Sequence, residues 1–167
     1  MLELDAEAIY LQLARRVREH VAGRNPLLVG VHTGGVWLAE RLRSDLKVEA
    51  EVGILDVSFY RDDFSQSGLS RGVRPSRIPF DVEGADILLV DDVLNTGRTV
   101  RAAMNELFDY GRPARIELAV LIDRGGRELP VSTSLVGRTI EVPEDVSVVL
   151  SRDDDRRLHL RLDERER

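Results

Sequence analysis

The chain has 167 residues, 43% of them apolar, with 24 Lys plus Arg against 30 Asp plus Glu and no cysteine. That length suits one continuous domain over residues 1–167, since single cores run to roughly 100–200 residues, and the missing cysteine excludes a disulfide framework, a thiolate zinc site and a cysteine nucleophile. The net charge of −6 argues against holding nucleic acid by bulk charge, and an acidic start (Glu3, Asp5, Glu7) with no long apolar run predicts a soluble, cytoplasmic protein.

From Asp5, a residue type suited to an N-cap, Ile9, Leu13, Val17 and Val21 recur every four residues and predict a helix ending near Gly23. Residues 27–31 read as a strand buried on both sides, emptying into His32-Thr33-Gly34-Gly35, and 36–46 return to helical spacing with Trp37 expected to pack that helix onto a sheet. A second strand is expected around 52–57. Residues 58–79 are polar, carry Gly68, Gly72, Pro75 and Pro79, and show no period, which marks a functional loop. Residues 87–90 predict a buried strand with Asp91 and Asp92 at its carboxyl end; a helix over 98–110, closed by Gly111 and Pro113, and a strand over 116–122 follow. Segments 146–150 and 158–162 predict an antiparallel edge strand or hairpin. The alternation of strand and helix predicts an α/β fold with a central parallel sheet and helices on both faces.

Ligands of such sheets bind outside the carboxyl ends of the strands. There, Thr96-Gly97-Arg98-Thr99 joins a strand to a helix, so successive backbone N–H groups and a helix dipole can meet one anion, with two hydroxyls to assist. Asp91 and Asp92 beside it would repel a phosphate but suit vicinal hydroxyls or a magnesium ion. Together they describe a ribose 5-phosphate site. Each piece has a plainer reading: the acids alone could solvate a strand end, and a Thr33-Gly34-Gly35 turn alone is often only a turn. No Gly-Lys-Ser/Thr ending or GxGxxG follows any strand, which excludes a P-loop and a dinucleotide fingerprint. His20, His32 and His159 share no ligand spacing, so no structural metal is assigned.

Residues 87–99, with four apolar residues, two acids and a Thr-Gly turn, resemble the binding motif of the type I phosphoribosyltransferases. Tyr60-Arg61-Asp62-Asp63, Gly111-Arg112-Pro113, and Asp123-Arg124-Gly125 with Arg127-Glu128-Leu129-Pro130 narrow the resemblance to the bifunctional pyrimidine-operon attenuation regulators and uracil phosphoribosyltransferases, the PyrR type. The resemblance implies that fold with a C-terminal hood, and the conversion of uracil and phosphoribosyl pyrophosphate to UMP and pyrophosphate, with Mg2+ carried on the diphosphate. It implies ribose contacts from Asp91 and Asp92, a nucleotide lined by Val93, Leu94 and Asn95, a 5′-phosphate on Thr96, Gly97, Arg98 and Thr99, and pyrophosphate on Thr33 and Gly34. Arg71 or Arg74 of the long loop would meet the diphosphate as a catalytic cation, and Arg124 and Val148 would line the base pocket, although Val148 also reads as an ordinary core valine. Three positions depart from the family's habit: Gly34 replaces an Arg, Asn95 a Tyr and Gly126 a His. A homodimer or larger assembly is implied as well.

The family's second role is to bind pyrimidine leader RNA under the control of UMP or UTP. Net charge by segment is −2 over 1–60, +2 over 61–80, −5 over 81–110, +2 over 111–140 and −3 over 141–167. Arg15 and Arg18 on the first helix, with Arg138, are the candidates for an RNA face; a solvated helix face explains them equally well. An alternative to the enzyme is a catalytically weak nucleotide sensor that regulates the operon through RNA.

Overall fold

The computed structural model describes residues 2–57 and 76–165. Most of the long polar segment, with Arg71 and Arg74, lies outside the described residues. The elements are α1 (Ala6–His20), β1 (Leu27–Val31), α2 (Gly34–Leu46), β2 (Gly53–Leu55), β3 (Asp86–Leu94), α3 (Arg98–Tyr110), β4 (Arg115–Asp123), β5 (Leu135–Thr139), β6 (Val146–Arg152) and β7 (Leu158–Glu164). Five strands form a parallel sheet in the order β2-β1-β3-β4-β5. One face packs on α1 and α2 around Leu13, Val17, Leu38, Leu42, Leu88 and Leu121, and the other packs on α3 around Leu89, Val100, Leu107 and Val120. The middle of β3 is apolar at successive positions for this reason: Ile87, Leu88, Leu89 and Val90 are each at most 1% exposed, with successive residues feeding opposite cores.

Two elements differ from the sequence reading, and a third decides between the alternatives it left open. β3 does not stop at Val90: Asp91 pairs with Val120 and Leu94 with Asp123, so the two acids stand inside the last turn of pleat, held by the ladder. β5 is unannounced by any period, because five residues containing Gly137 and Arg138 give too little alternation. Gly137 is nonetheless required, since a Cβ there would lie 2.5 Å from the Leu121 carbonyl oxygen and 2.7 Å from Ile9 Cγ2. The C-terminal pair β6–β7 is a hairpin that forms its own two-stranded sheet and adds no edge to the central one.

That hairpin is seated on α1. Leu150 and Leu158 are buried in the α1-side core, worth about 1.5–3 kcal/mol each by burial. Glu7 accepts the Leu158 N–H at 2.8 Å while pairing with Arg41 at 2.7 Å, tying α1, α2 and β7 together. The base of the sheet carries a second polar tie, in which Glu117 of β4 meets His20 and Arg24 while Arg24 also grips Asp86 in a forked pair, with Arg115 at 3.7 Å from Glu117. Burial alone would raise the Glu117 carboxyl, but hydrogen bonds from His20 and Arg24 outweigh it and hold it below its ordinary value of 4.5.

A carboxyl lowered on folding stabilises the fold above its unfolded pKa, and that stabilisation is lost as pH falls through the folded value. Thermal unfolding followed from pH 7 downward is therefore expected to weaken more steeply below pH 4.5 in the wild type than in Glu117→Gln. Gly35→Ala tests the packing of α2 on β3, because its Cβ would lie 2.4 Å from the Val90 carbonyl oxygen. Denaturant titration should show a loss of at least about 1–3 kcal/mol, the usual cost of overpacking, whereas Gly35→Ala unfolding at the wild-type midpoint would disprove that contact.

Candidate active site

A cleft of about 400 Å³ opens at the carboxyl ends of β1 and β3, beneath the β6 strand of the hairpin. Its floor is the acid pair. Asp91 is 2% exposed, and each carboxylate accepts the next residue's backbone N–H through Oδ1 at 2.8 Å, Asp91 from Asp92 and Asp92 from Val93. These bonds fix the side-chain torsions within the strand and set the carboxylates in place without help from a loop.

Thr33 and Gly34 face the acids from the β1–α2 turn, whose His32–Thr33 peptide is cis. The approach is close: a Cβ at Gly34 would lie 2.5 Å from Asp92 Oδ2, and Gly35 already packs against the backbone at Val90 and Asp91. An Arg at position 34, the family's habit, could not share this arrangement with Asp92 as it stands. Glycine here removes a cation and brings the turn onto the acid.

The β3–α3 turn supplies the third wall. Gly97 caps α3 in the left-handed region (φ 93°), which no β-carbon residue adopts cheaply, and as a glycine it offers the helix no side-chain cap of its own. The turn is braced from behind. Thr96 O accepts the N–H groups of Glu128 and Leu129 at 3.0 and 3.1 Å, and Arg127 reaches Asn95 O at 2.9 Å and Asp123 at 2.6 Å. Burial pushes the Asp123 carboxyl up, but Arg127 and the Gly125 N–H more than offset it, so Asp123 stays ionised and the brace stays charged. The first-turn N–H groups of α3 thus point from a rigid turn and lack intrahelical acceptors, as at any helix start.

Of the residues singled out in the sequence, Thr33, Gly34, Asp91, Asp92, Val93, Asn95, Thr99, Arg124 and Val148 line this one cleft. Others serve differently. Leu94 is 1% exposed in the α3-side core, so its side chain faces away from the cleft; the alternation that places Leu88 and Val90 in the α1-side core has slipped by the end of the strand, where Val93 packs on that core instead. Thr96 caps the Arg98 N–H at 3.2 Å, and the Arg98 side chain pairs with Glu128 at 2.9 Å on the surface, so only their backbone stays with the turn. Arg124 is 8% exposed and donates to the carbonyls of Val146 and Pro143, which makes it the strut of the hood. Val148 packs on the core and lines the cleft at once.

Sequence reasoning missed Trp37, Ser147 and Arg165. Trp37 packs against the core as expected, but its half-exposed ring is also a wall of the cleft, with the Arg152 guanidinium 4.9 Å from its centroid. Ser147 and Arg165 enter through the hairpin register, which no local signal records. The family departures at Asn95 and Gly126 turn out to be neighbours: a Cβ on Gly126 would lie 2.7 Å from Asn95 Oδ1. Arg15, Arg18 and Arg138 are exposed on α1 and on β5, which packs beside it, and Arg15 pairs with Glu19 at 3.3 Å. A second cavity of about 420 Å³, at the amino ends of β4 and β5, is walled by Met104, Ile116 and Val131 and offers no paired acids or anion cradle. Among the described residues, no helix is long and apolar enough to cross a membrane.

The phosphoribosyl transferase domain model matches residues 4–154. The chain is 51% identical over 142 residues to the bifunctional protein PyrR of Pseudomonas aeruginosa, covering 83% of this chain and 84% of that one. It is 49% identical over 150 residues to the PyrR of Pseudomonas syringae pv. syringae, covering 88% of each. The solved hypoxanthine phosphoribosyl transferase of Trypanosoma cruzi superposes with a TM-score of 0.65 at 26% identity, over 94% of this chain and 86% of that one. A parallel sheet with paired acids at one strand end, a glycine-led helix start beside them and a relatedness that spans most of the chain have one common explanation: the chain belongs to the phosphoribosyl transferase family, in its PyrR branch.

Proposed function

We infer that this chain is a uracil phosphoribosyltransferase that also regulates pyrimidine biosynthesis genes, working as one transferase unit in the cytoplasm and as a homodimer or larger assembly. The observation that carries the reading is the meeting of Asp91, Asp92, Thr33 and Thr99 around one cleft of about 400 Å³, a volume within the usual range for small-molecule sites.

The reaction breaks the bond from ribose C1′ to a pyrophosphate oxygen, whose electron pair leaves with the pyrophosphate. The C1′–N1 bond to uracil forms, and the N1 proton passes to solvent. In this reading Asp91 and Asp92 accept hydrogen bonds from the ribose 2′- and 3′-hydroxyls, and their charge favours the positive character that C1′ acquires. The Thr96–Thr99 turn holds the 5′-phosphate by backbone N–H groups and the Thr99 hydroxyl. Thr33 and Gly34 receive the pyrophosphate, with Arg71 or Arg74 as the cation from the loop. Val148 and Trp37 cover the base and keep water from the ribosyl centre.

Two adjacent carboxylates fit Mg2+, which characteristically takes one or two acids along with substrate phosphates. Asp91 and Asp92 would meet the ion arriving on the diphosphate, and when bound it supplies charge neutralisation of the leaving group. Uracil requires little of a base catalyst, because its N1 proton is comparatively acidic, and neutral Asn95 is compatible with that.

A specific observation also supports the sensor alternative. At Gly34 there is no side chain to reach pyrophosphate, and Asp92 occupies the space one would need. A protein that kept UMP recognition with slow transfer would have this composition.

A steady-state assay with uracil, phosphoribosyl pyrophosphate and Mg2+ is expected to yield UMP. Asp91→Asn should lower kcat/KM by roughly two orders of magnitude, the usual cost of one transition-state contact, with thermal stability kept. Turnover of hypoxanthine, guanine or orotate in place of uracil would overturn the assignment. For the regulatory role, filter binding on pyrimidine leader RNA is expected to tighten with UMP or UTP. Charge reversal at Arg15, Arg18 and Arg138 should weaken it about tenfold or more and flatten its salt dependence; unchanged affinity would remove those residues from the RNA face.

A further inference from the structure

Arg165 follows β7 directly and lies beyond the segment that matches the phosphoribosyl transferase domain, residues 4–154, yet its side chain lines the same cleft as Asp92, Asn95 and Val148. Its backbone N–H donates to Asp145 O at 2.7 Å and its Nε–H to Ser147 Oγ at 2.8 Å, so the residue is pinned to β6 at two points. A guanidinium has five N–H donors and no acceptor. Nε–H is used on Ser147, and among the described residues no carboxylate or carbonyl takes the donors of the two terminal nitrogens. The other guanidinium in this wall, Arg124, is committed to the carbonyls of Val146 and Pro143, and the nearby Asp163 is committed to Arg161. The cleft therefore holds a buttressed, donor-only group on its hood side, next to Val148 and away from the acid floor.

We propose that Arg165, oriented by Ser147, is a specificity residue for the nucleobase, donating from its terminal nitrogens to the C4 carbonyl oxygen of the pyrimidine. This rests on the uracil reading above and deepens it. A keto oxygen accepts from a guanidinium; the amino group that cytosine carries at C4 is itself a donor and leaves both groups unpaired, which is the strong form of discrimination at a polar site. The same contact favours the charge that spreads onto the uracil oxygens as the N1 proton leaves.

The test varies uracil and phosphoribosyl pyrophosphate separately in Arg165→Ala, Arg165→Lys and Ser147→Ala, with UMP affinity measured by calorimetry and folding checked by thermal unfolding. Arg156→Asn, in the exposed β6–β7 turn at φ 62°, is the control. For Arg165→Ala the expected result is a KM for uracil and a Kd for UMP raised roughly tenfold or more, as for loss of a charged hydrogen bond, with KM for phosphoribosyl pyrophosphate within about twofold of wild type. Discrimination against cytosine should narrow, Ser147→Ala should fall between, and Arg156→Asn should match wild type. Arg165→Lys keeps the charge but loses the fork, and guards against a folding defect: it should reproduce the uracil effect in part. An unchanged KM for uracil, or a rise confined to phosphoribosyl pyrophosphate, overturns the proposal while leaving the uracil reading intact. A wild type that neither turns over uracil nor binds UMP overturns both.

Discussion

The whole site depends on how closely two backbones approach. Gly30 of β1, Gly34 and Gly35 at the start of α2 sit where added β-carbons would lie 2.4–2.6 Å from Val36 Cα, Asp92 Oδ2 and the Val90 carbonyl oxygen. With no side chains between them, the β1–α2 turn and the end of β3 touch. That contact makes Thr33 and the Asp91–Asp92 pair two walls of one cleft; a methyl group at Gly35 would hold them apart. The ladder from β3 to β4 then carries the acids as part of the sheet, so the most demanding groups of the site are on the most rigid element.

A second theme is how the arginines are used. Arg16, Arg43, Arg124 and Arg127 all donate to backbone carbonyls, at Val136, at Val48 and Glu49, at Val146 and Pro143, and at Asn95 and Val131. A planar fork with several donors suits this role in a way that an ammonium does not. The chain has a single Lys among its 24 basic residues, and this use of Arg gives that choice a structural role. It also explains how a cleft for a multiply charged substrate sits in a chain of net charge −6. Much of the positive charge is structural, and the anion cradle at α3 relies on backbone dipoles.

The hairpin is the adaptable part. It is a separate sheet, docked by Leu150, Leu158, the Glu7 bond to Leu158 and the Arg124 strut. Elements joined by a few such contacts can differ in detail without disturbing the central sheet. Asn95 and Gly126 lie in the braced turns after β3 and β4 instead, and there they meet: Gly126 has φ 74° and no room for a β-carbon beside the Asn95 carboxamide.

Local patterns in the sequence determined the helices, the buried strands and the turn chemistry, because 3.6- and 2-residue periods, glycines and paired acids act over a few residues. Residues 87–99 carried the ribose-phosphate reading by themselves, and α3 runs over the residues that its spacing predicted. What was hidden depends on partners far along the chain. β5 exists because β4 and α1 pair with and cover five weakly patterned residues. Leu94 faces the α3-side core because the alternation of β3 slips past the acids; Arg124 became a strut because residues 143–146 arrive above it; Ser147 and Arg165 joined the cleft only through the register of β6 with β7. The sequence alone determined which chemistry was available, since that is fixed by residue type and short spacing. Only the tertiary structure decided which groups reach the substrate, because a donor's direction is set by what already holds it.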